Sequence, residues 1–98
     1  MRYLPEPGML CRSKAGRDRG KFFLIYSVEG TPNGTAEDDS LYVYVVDGDS
    51  HRLEKPKKKK LMHLWLSPKA DTSLQKAFGE GIIINDAQVK KAIAALVV

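Results

Sequence analysis

"KAGRDRGKFFLIYSV", residues 14–28, decides how this chain is read. Four cations and two glycines stand directly in front of an apolar run. As a nucleotide-phosphate loop the stretch fails three times. Only three residues separate Gly16 from Gly20 where four are needed, and Phe22 stands where a magnesium-binding Ser or Thr belongs. The segment that follows is aromatic and β-branched with no breaker, which predicts a strand, whereas a phosphate loop needs a helix N-terminus there. The stretch therefore reads as a basic turn feeding a strand.

Working outward, residues 9–13 read as the strand before the turn, so 9–28 is a β-turn-β unit. Residues 29–40 form a polar, acidic loop, and residues 41–47 the next strand. Asp47-Gly48 is a hairpin turn signal, with residues 51–54 as a short return strand. The lysine run 55–60 is expected as a loop, and residues 61–67 as the last strand. The strands have apolar side chains on both faces: Leu41, Val43 and Val45 share one side, and Tyr42, Tyr44 and Val46 the other. A sheet with one solvated face should alternate apolar with polar, so something must cover the second face. The C-terminus offers a cover. Asn85 is a good N-cap with Gln88 three residues on, and Ile84 and Val89 can staple the helix start. Val89, Ala92, Ile93 and Leu96 then share a face. The expected architecture is mainly β: a small antiparallel barrel over residues 1–67, a linker over 68–84 with one helical turn near Leu74, and a C-terminal α-helix within 85–98. That helix docks on the barrel or on a partner, a second copy of the chain included.

Charge is segregated along the 98 residues. Residues 1–28 carry six cations and two acids, 29–50 six acids and no cation, and 51–63 six cations and one acid. Such polarity favours a polyanionic partner on the basic side. Cys11 is the only cysteine, so it reads as a small buried hydrophobe, and the absence of disulfide and signal-peptide patterns fits a reducing, cytoplasmic setting. No apolar run reaches the ~18 residues of a membrane span. His51 and His63 have no carboxylate or cysteine at metal-ligand spacing, and His63 reads as packed or hydrogen-bonded in a strand. No nucleophile, base and orienting group can be assembled. No catalytic residue, metal or cofactor is expected.

The β-turn-β stretch "GMLCRSKAGRDRGKFFLIYSVEG", residues 8–30, resembles a KOW motif, with Gly20 at the motif's glycine. The likeness continues through "YVYVVDGDSHRLEKPKKKKLMHLWLS", residues 42–67, and is specifically to bacterial KOW-containing RNA-binding proteins. These are similar in turn to a KOW-bearing family of large-subunit ribosomal proteins from archaea and eukaryotes. The resemblance implies an SH3-like barrel and RNA, most readily ribosomal RNA, as partner; ribosomal or transcription proteins are the other partners it suggests. The acidic loop 29–40 departs from the compact form of the family. The residues agree with an RNA-binding role. Turn 14–21 and loop 55–60 can lie on one rim and supply Lys14, Arg17, Arg19, Lys21, Lys55, Lys57, Lys58, Lys59 and Lys60, with Gly16 and Gly20 shaping the turn. Five phosphate pairs would give log K a slope of about −3.5 to −4.5 against log salt. The rival readings are a solvated lysine loop, a nuclear import signal at 56–60, and a protein-interaction module built on the barrel face. Phe22, Phe23, Tyr26, Tyr42, Tyr44 and Trp65 are of the type that stacks on unpaired bases, but at alternate strand positions they are expected mostly in the core, Tyr42 and Tyr44 being the best placed to face outward.

Overall fold

The computed structural model describes residues 4–29 and 41–97, so most of the acidic loop 29–40 lies outside the described residues. Five strands form one antiparallel sheet: β1 (Met9–Ser13), β2 (Phe22–Glu29), β3 (Tyr42–Val46), β4 (Lys57–Lys60) and β5 (Leu64–Ala70). The order is β4-β3-β2-β1-β5. The two edge strands are thus neighbours in sequence, joined only by the 3-10 turn Leu61–His63. That short link draws the two ends of the sheet toward each other into a small barrel-like form. Two helices follow, α1 (Thr72–Glu80) and α2 (Asp86–Val97). None of the described helices is long and apolar enough to cross a membrane.

The doubly apolar strands find two cores, as their pattern requires. Met9, Cys11, Phe23, Ile25, Leu41, Val43, Val45, Leu61 and Leu64 fill the inside of the curved sheet. Leu10, Leu24 and Val46 point outward and are covered by Leu74 of α1 and by Val89 and Ala92 of α2. Burying one such side chain is worth about 1.5–3 kcal/mol, which is what a twelve-residue helix, marginal alone in water, needs. Alternation lets β2 serve both cores, and a bulge at Tyr26, where the register steps between Ile25 opposite Val45 and Ser27 opposite Tyr44, shifts the parity so that Val28 packs on the same core as Phe23 and Ile25. Tyr26 then turns outward, edge-on to Phe78 of α1 at 5.1 Å. Cys11 is buried, and burial pushes its thiol up to about 12, so it behaves as a hydrophobe.

The start of α2 forms as its sequence predicts. Asn85 Oδ1 accepts from the Gln88 amide at 2.9 Å, and Gln88 Oε1 accepts from the Asn85 amide at 2.8 Å. Two orphan donors are satisfied reciprocally.

Four expectations need correction. The segment 68–84 is not a linker: β5 runs on to Ala70 and α1 occupies Thr72–Glu80. Asp71 caps α1 by accepting from the Leu74 amide at 3.0 Å, and Gly81 ends it in the left-handed region. Gly81 is thus the helix's C-terminal cap. Pro68 is tolerated in β5 because that strand is an edge whose register to β1 is irregular beyond Leu66. The stretch 51–54 is not the return strand. Asp47 instead closes a compact turn, accepting from the amides of Asp49 and His51 and from the Ser50 hydroxyl, all within 2.8 Å. The chain then detours to α2, where the Leu53 amide donates to Asp86 Oδ1 at 2.8 Å. Gly48 makes that approach possible: a Cβ there would collide with the Asp86 carbonyl. The true return strand is the lysine run, and the 3-10 turn takes the first residues of the expected last strand 61–67.

Candidate nucleic-acid interface

The basic turn is built on two backbone bonds that close the β1–β2 hairpin. Ser13 donates to the Lys21 carbonyl at 3.0 Å, and Gly20 donates to the Ser13 carbonyl at 2.8 Å. Within the turn, Arg19 donates to Gly16 at 3.2 Å and Lys21 to Asp18 at 2.9 Å. Gly16 and Gly20 adopt φ of +78° and +87°, which L side chains resist. This tight path throws Lys14, Arg17, Arg19 and Lys21 outward, all exposed. Among the described residues Lys14, Arg17 and Arg19 make no ion pair, and Lys21 lies 3.8 Å from Asp18 Oδ1.

The lysine run is not a loop. Lys57–Lys60 is strand β4, paired with β3 so that Lys57, Lys58, Lys59 and Lys60 sit opposite Val45, Tyr44, Val43 and Tyr42. Lysine is a poor strand former in general, but β4 is an edge strand, where lysines discourage pairing with other chains. Alternation then divides the four. Lys57 and Lys59 lie on the side of Val45 and Val43, while Lys58 and Lys60 share the outer side with Tyr44 and Tyr42. Lys55 precedes the strand, exposed, in a turn closed by its own amide on the Arg52 carbonyl.

One acid joins the two basic segments. Asp18 Oδ2 lies 3.4 Å from Lys59 Nζ and 3.1 Å from His51 Nε2, and both it and Lys59 are largely shielded, with side chains 15% and 11% exposed. Partial burial pushes the Asp18 carboxyl up, but the His51 hydrogen bond and the Lys59 charge together outweigh it and hold the group below its ordinary value. Lys59 also lies 5.7 Å from the centre of the Phe23 ring, which in turn sits 5.7 Å from the His51 ring. Lys59 is thereby a tether between β4 and the turn, not a free cation. Lys58 is engaged elsewhere, 3.2 Å from Glu29 and 4.7 Å from the centre of the Tyr42 ring. Of the nine expected cations, then, the structure gathers Lys14, Arg17, Arg19, Lys21 and Lys59 around one turn. Lys55, Lys57 and Lys60 are exposed, and none of them has an ion pair to the turn among the described residues.

Two residues join this surface beyond the nine expected cations. Arg12 donates through Nε to the Gly20 carbonyl at 3.1 Å, fixing it to the turn. It stands opposite both Phe22 on β2 and Trp65 on β5. Its guanidinium lies 5.1 Å from the Phe22 ring centre and 5.9 Å from that of Trp65. Trp65, grouped with the aromatic core candidates, is instead 53% exposed, and Lys14 Nζ approaches its ring to 5.7 Å. Position 12, between Cys11 and Ser13 in a strand with inward odd positions, is the signal that could have found it. His63 is exposed at the end of the 3-10 turn rather than packed in a strand, and its carbonyl accepts from the Lys14 amide at 2.8 Å. His51 is the hydrogen-bonded one. Among the described residues, no three His, Cys, Asp or Glu groups converge to hold a metal. No family model matches the chain, and no curated protein matches it.

Proposed function

We propose that this is a non-catalytic, cytoplasmic RNA-binding protein of the KOW, SH3-like kind, acting on ribosomal RNA or within the translation machinery. It grips phosphates through the turn 14–21, with the lysine strand as a secondary support. The observation that carries the reading is the exposure of Lys14, Arg17 and Arg19, without a neutralising acid among the described residues, on a turn fixed by its own backbone bonds. A rigid cationic turn costs little ordering on binding, and arginines bind phosphate bidentately or stack on bases. Five phosphate pairs would weaken binding by about 100- to 500-fold between 50 and 200 mM salt. A filter-binding titration with structured ribosomal RNA measures this, and affinity indifferent to salt over that range overturns the proposal.

One observation favours a second reading, the protein-interaction module. Ile82 and Ile83, between α1 and α2, are 52% and 96% exposed, and adjoining exposed apolar residues mark contact sites. A pull-down that survives nuclease treatment and is lost in Ile83→Asp would support it.

A further inference from the structure

We infer that Trp65, flanked by Arg12 and Lys14, is a stacking platform for an unpaired base of RNA. The inference rests on the RNA-binding reading and adds to it a ligand class: RNA with unpaired nucleotides in preference to a fully paired duplex.

The register of three strands creates the platform. Trp65, Arg12 and Phe22 stand side by side on β5, β1 and β2, an aromatic, a cation and an aromatic in one row. The bond from Arg12 to Gly20 ties this row to the basic turn. The helices cover the same outer face at Leu10, Leu24 and Val46 but leave Trp65 more than half exposed. The indole thus presents a large aromatic surface to solvent, with the Arg12 guanidinium and the Lys14 ammonium 5.9 and 5.7 Å from its ring centre. Beside it runs a cleft of about 250 Å³ lined by Arg12, Phe22, Trp65, Leu66 and Ser67. That is below the ~300–1,000 Å³ of pockets that enclose drug-sized ligands, and suits a single planar ring system. No described acid contacts Arg12 or Lys14, so the surroundings attract phosphate. An aromatic face beside a cationic track is the combination that binds single strands, with stacking for the base and charge for the backbone. A duplex keeps its bases stacked internally and can use only the charge.

Trp65 is the sole tryptophan, so its fluorescence reports the contact directly. The intact chain is titrated with end-labelled oligouridylate of about ten nucleotides, within the span of single-strand sites, and with a blunt RNA duplex of equal length. Label anisotropy measures binding, and indole emission measures stacking. The expected result is quenching by the oligouridylate and none by the duplex. Trp65→Ala should weaken oligouridylate binding about 5- to 140-fold and leave duplex affinity within about twofold, while Trp65→Phe retains most of the affinity. Oligouridylate binding without quenching, unchanged in Trp65→Ala, overturns the platform and leaves the RNA reading standing. Absence of binding to either probe, or to ribosomal RNA, overturns both. Thermal unfolding of both variants within error of the parent is the accompanying measurement that separates lost stacking from lost folding.

Discussion

The turn 14–21 and the strand Lys57–Lys60 each carry four cations and use them differently. In the turn, the cationic side chains radiate from a backbone held by its own hydrogen bonds, and only Asp18 folds back. In the strand, alternation assigns each lysine a side, and two of the four meet acids, Lys58 with Glu29 and Lys59 with Asp18. A run of like charge in sequence therefore overstates the charge offered to a ligand. What remains free is set by the register with β3 and by where the acids lie, and neither is a property of the run itself.

The largest test of this contrast acts on the tether. Asp18→Asn leaves the shielded Lys59 ammonium without its counter-charge and removes a charge-assisted bond to His51. The variant should lose about 1–3 kcal/mol of stability, or about 4–24 °C in Tm for a domain of this size. The same group has a pH signature. Its carboxyl is held low in the fold, so its contribution is complete above the unfolded-state value of ~3.9 and fades as pH falls through the lower folded value. Asp47, where hydrogen bonds from the His51 amide, Ser50 and the Asp49 amide outweigh partial burial, behaves alike. Thermal melts between pH 2 and pH 5, a window about these values, should show a shallower acid limb in Asp18→Asn than in the parent. An unchanged Tm at neutral pH would mean that the two basic segments hold together without Asp18.

Next in size is the loss of the free arginines. Arg17→Ala/Arg19→Ala should leave Tm within error, since neither side chain is buried or paired in the described structure. It should cut RNA affinity about 14- to 30-fold at 0.15 M salt and reduce the salt slope by about 1.4–1.8, the share of two phosphate contacts. A slope equal to that of the parent would place the RNA elsewhere on the molecule.

Sequence reasoning found the parts of the fold that depend on local chemistry. The strands on either side of the turn, the doubly apolar pattern that demanded a cover, and the box of Asn85 and Gln88 are all written in neighbouring residues. It failed where a distant partner decides. Residues 57–60 are a strand only because β3 needs an edge and lysine suits one, and 51–54 is not a strand because Asp86 captures Leu53. The helix α1 hid behind two glycines, Gly79, which lies within it, and Gly81, which caps its end. The site was legible in the same measure. The turn's cations stand where their spacing puts them. The role of Asp18, and the row of Trp65, Arg12 and Phe22, depend on cross-strand register and on an ion pair spanning forty-one positions between residues 18 and 59.

The smallest expected effect concerns Lys58 and divides the two regions most finely. Its pair with Glu29 is exposed on both sides, at 45% and 48%. The Lys58 ammonium is raised and the Glu29 carboxyl lowered chiefly by the hydrogen bond between them, yet exposed pairs of this kind contribute little to folding. Glu29→Gln and Lys58→Ala should each leave Tm unchanged within error. On RNA the two should act oppositely and weakly, Glu29→Gln strengthening binding slightly and Lys58→Ala weakening it slightly. Both changes alter net charge by one and neither breaks a phosphate contact, so the salt slope should move by well under the ~0.7–0.9 of a full contact. A full-contact loss in Lys58→Ala alone would mean that RNA displaces Glu29 and reaches the outer side of β4. The lysine strand would then rank with the turn as a direct ligand, and the contrast between paired and free cations would not govern where this protein binds.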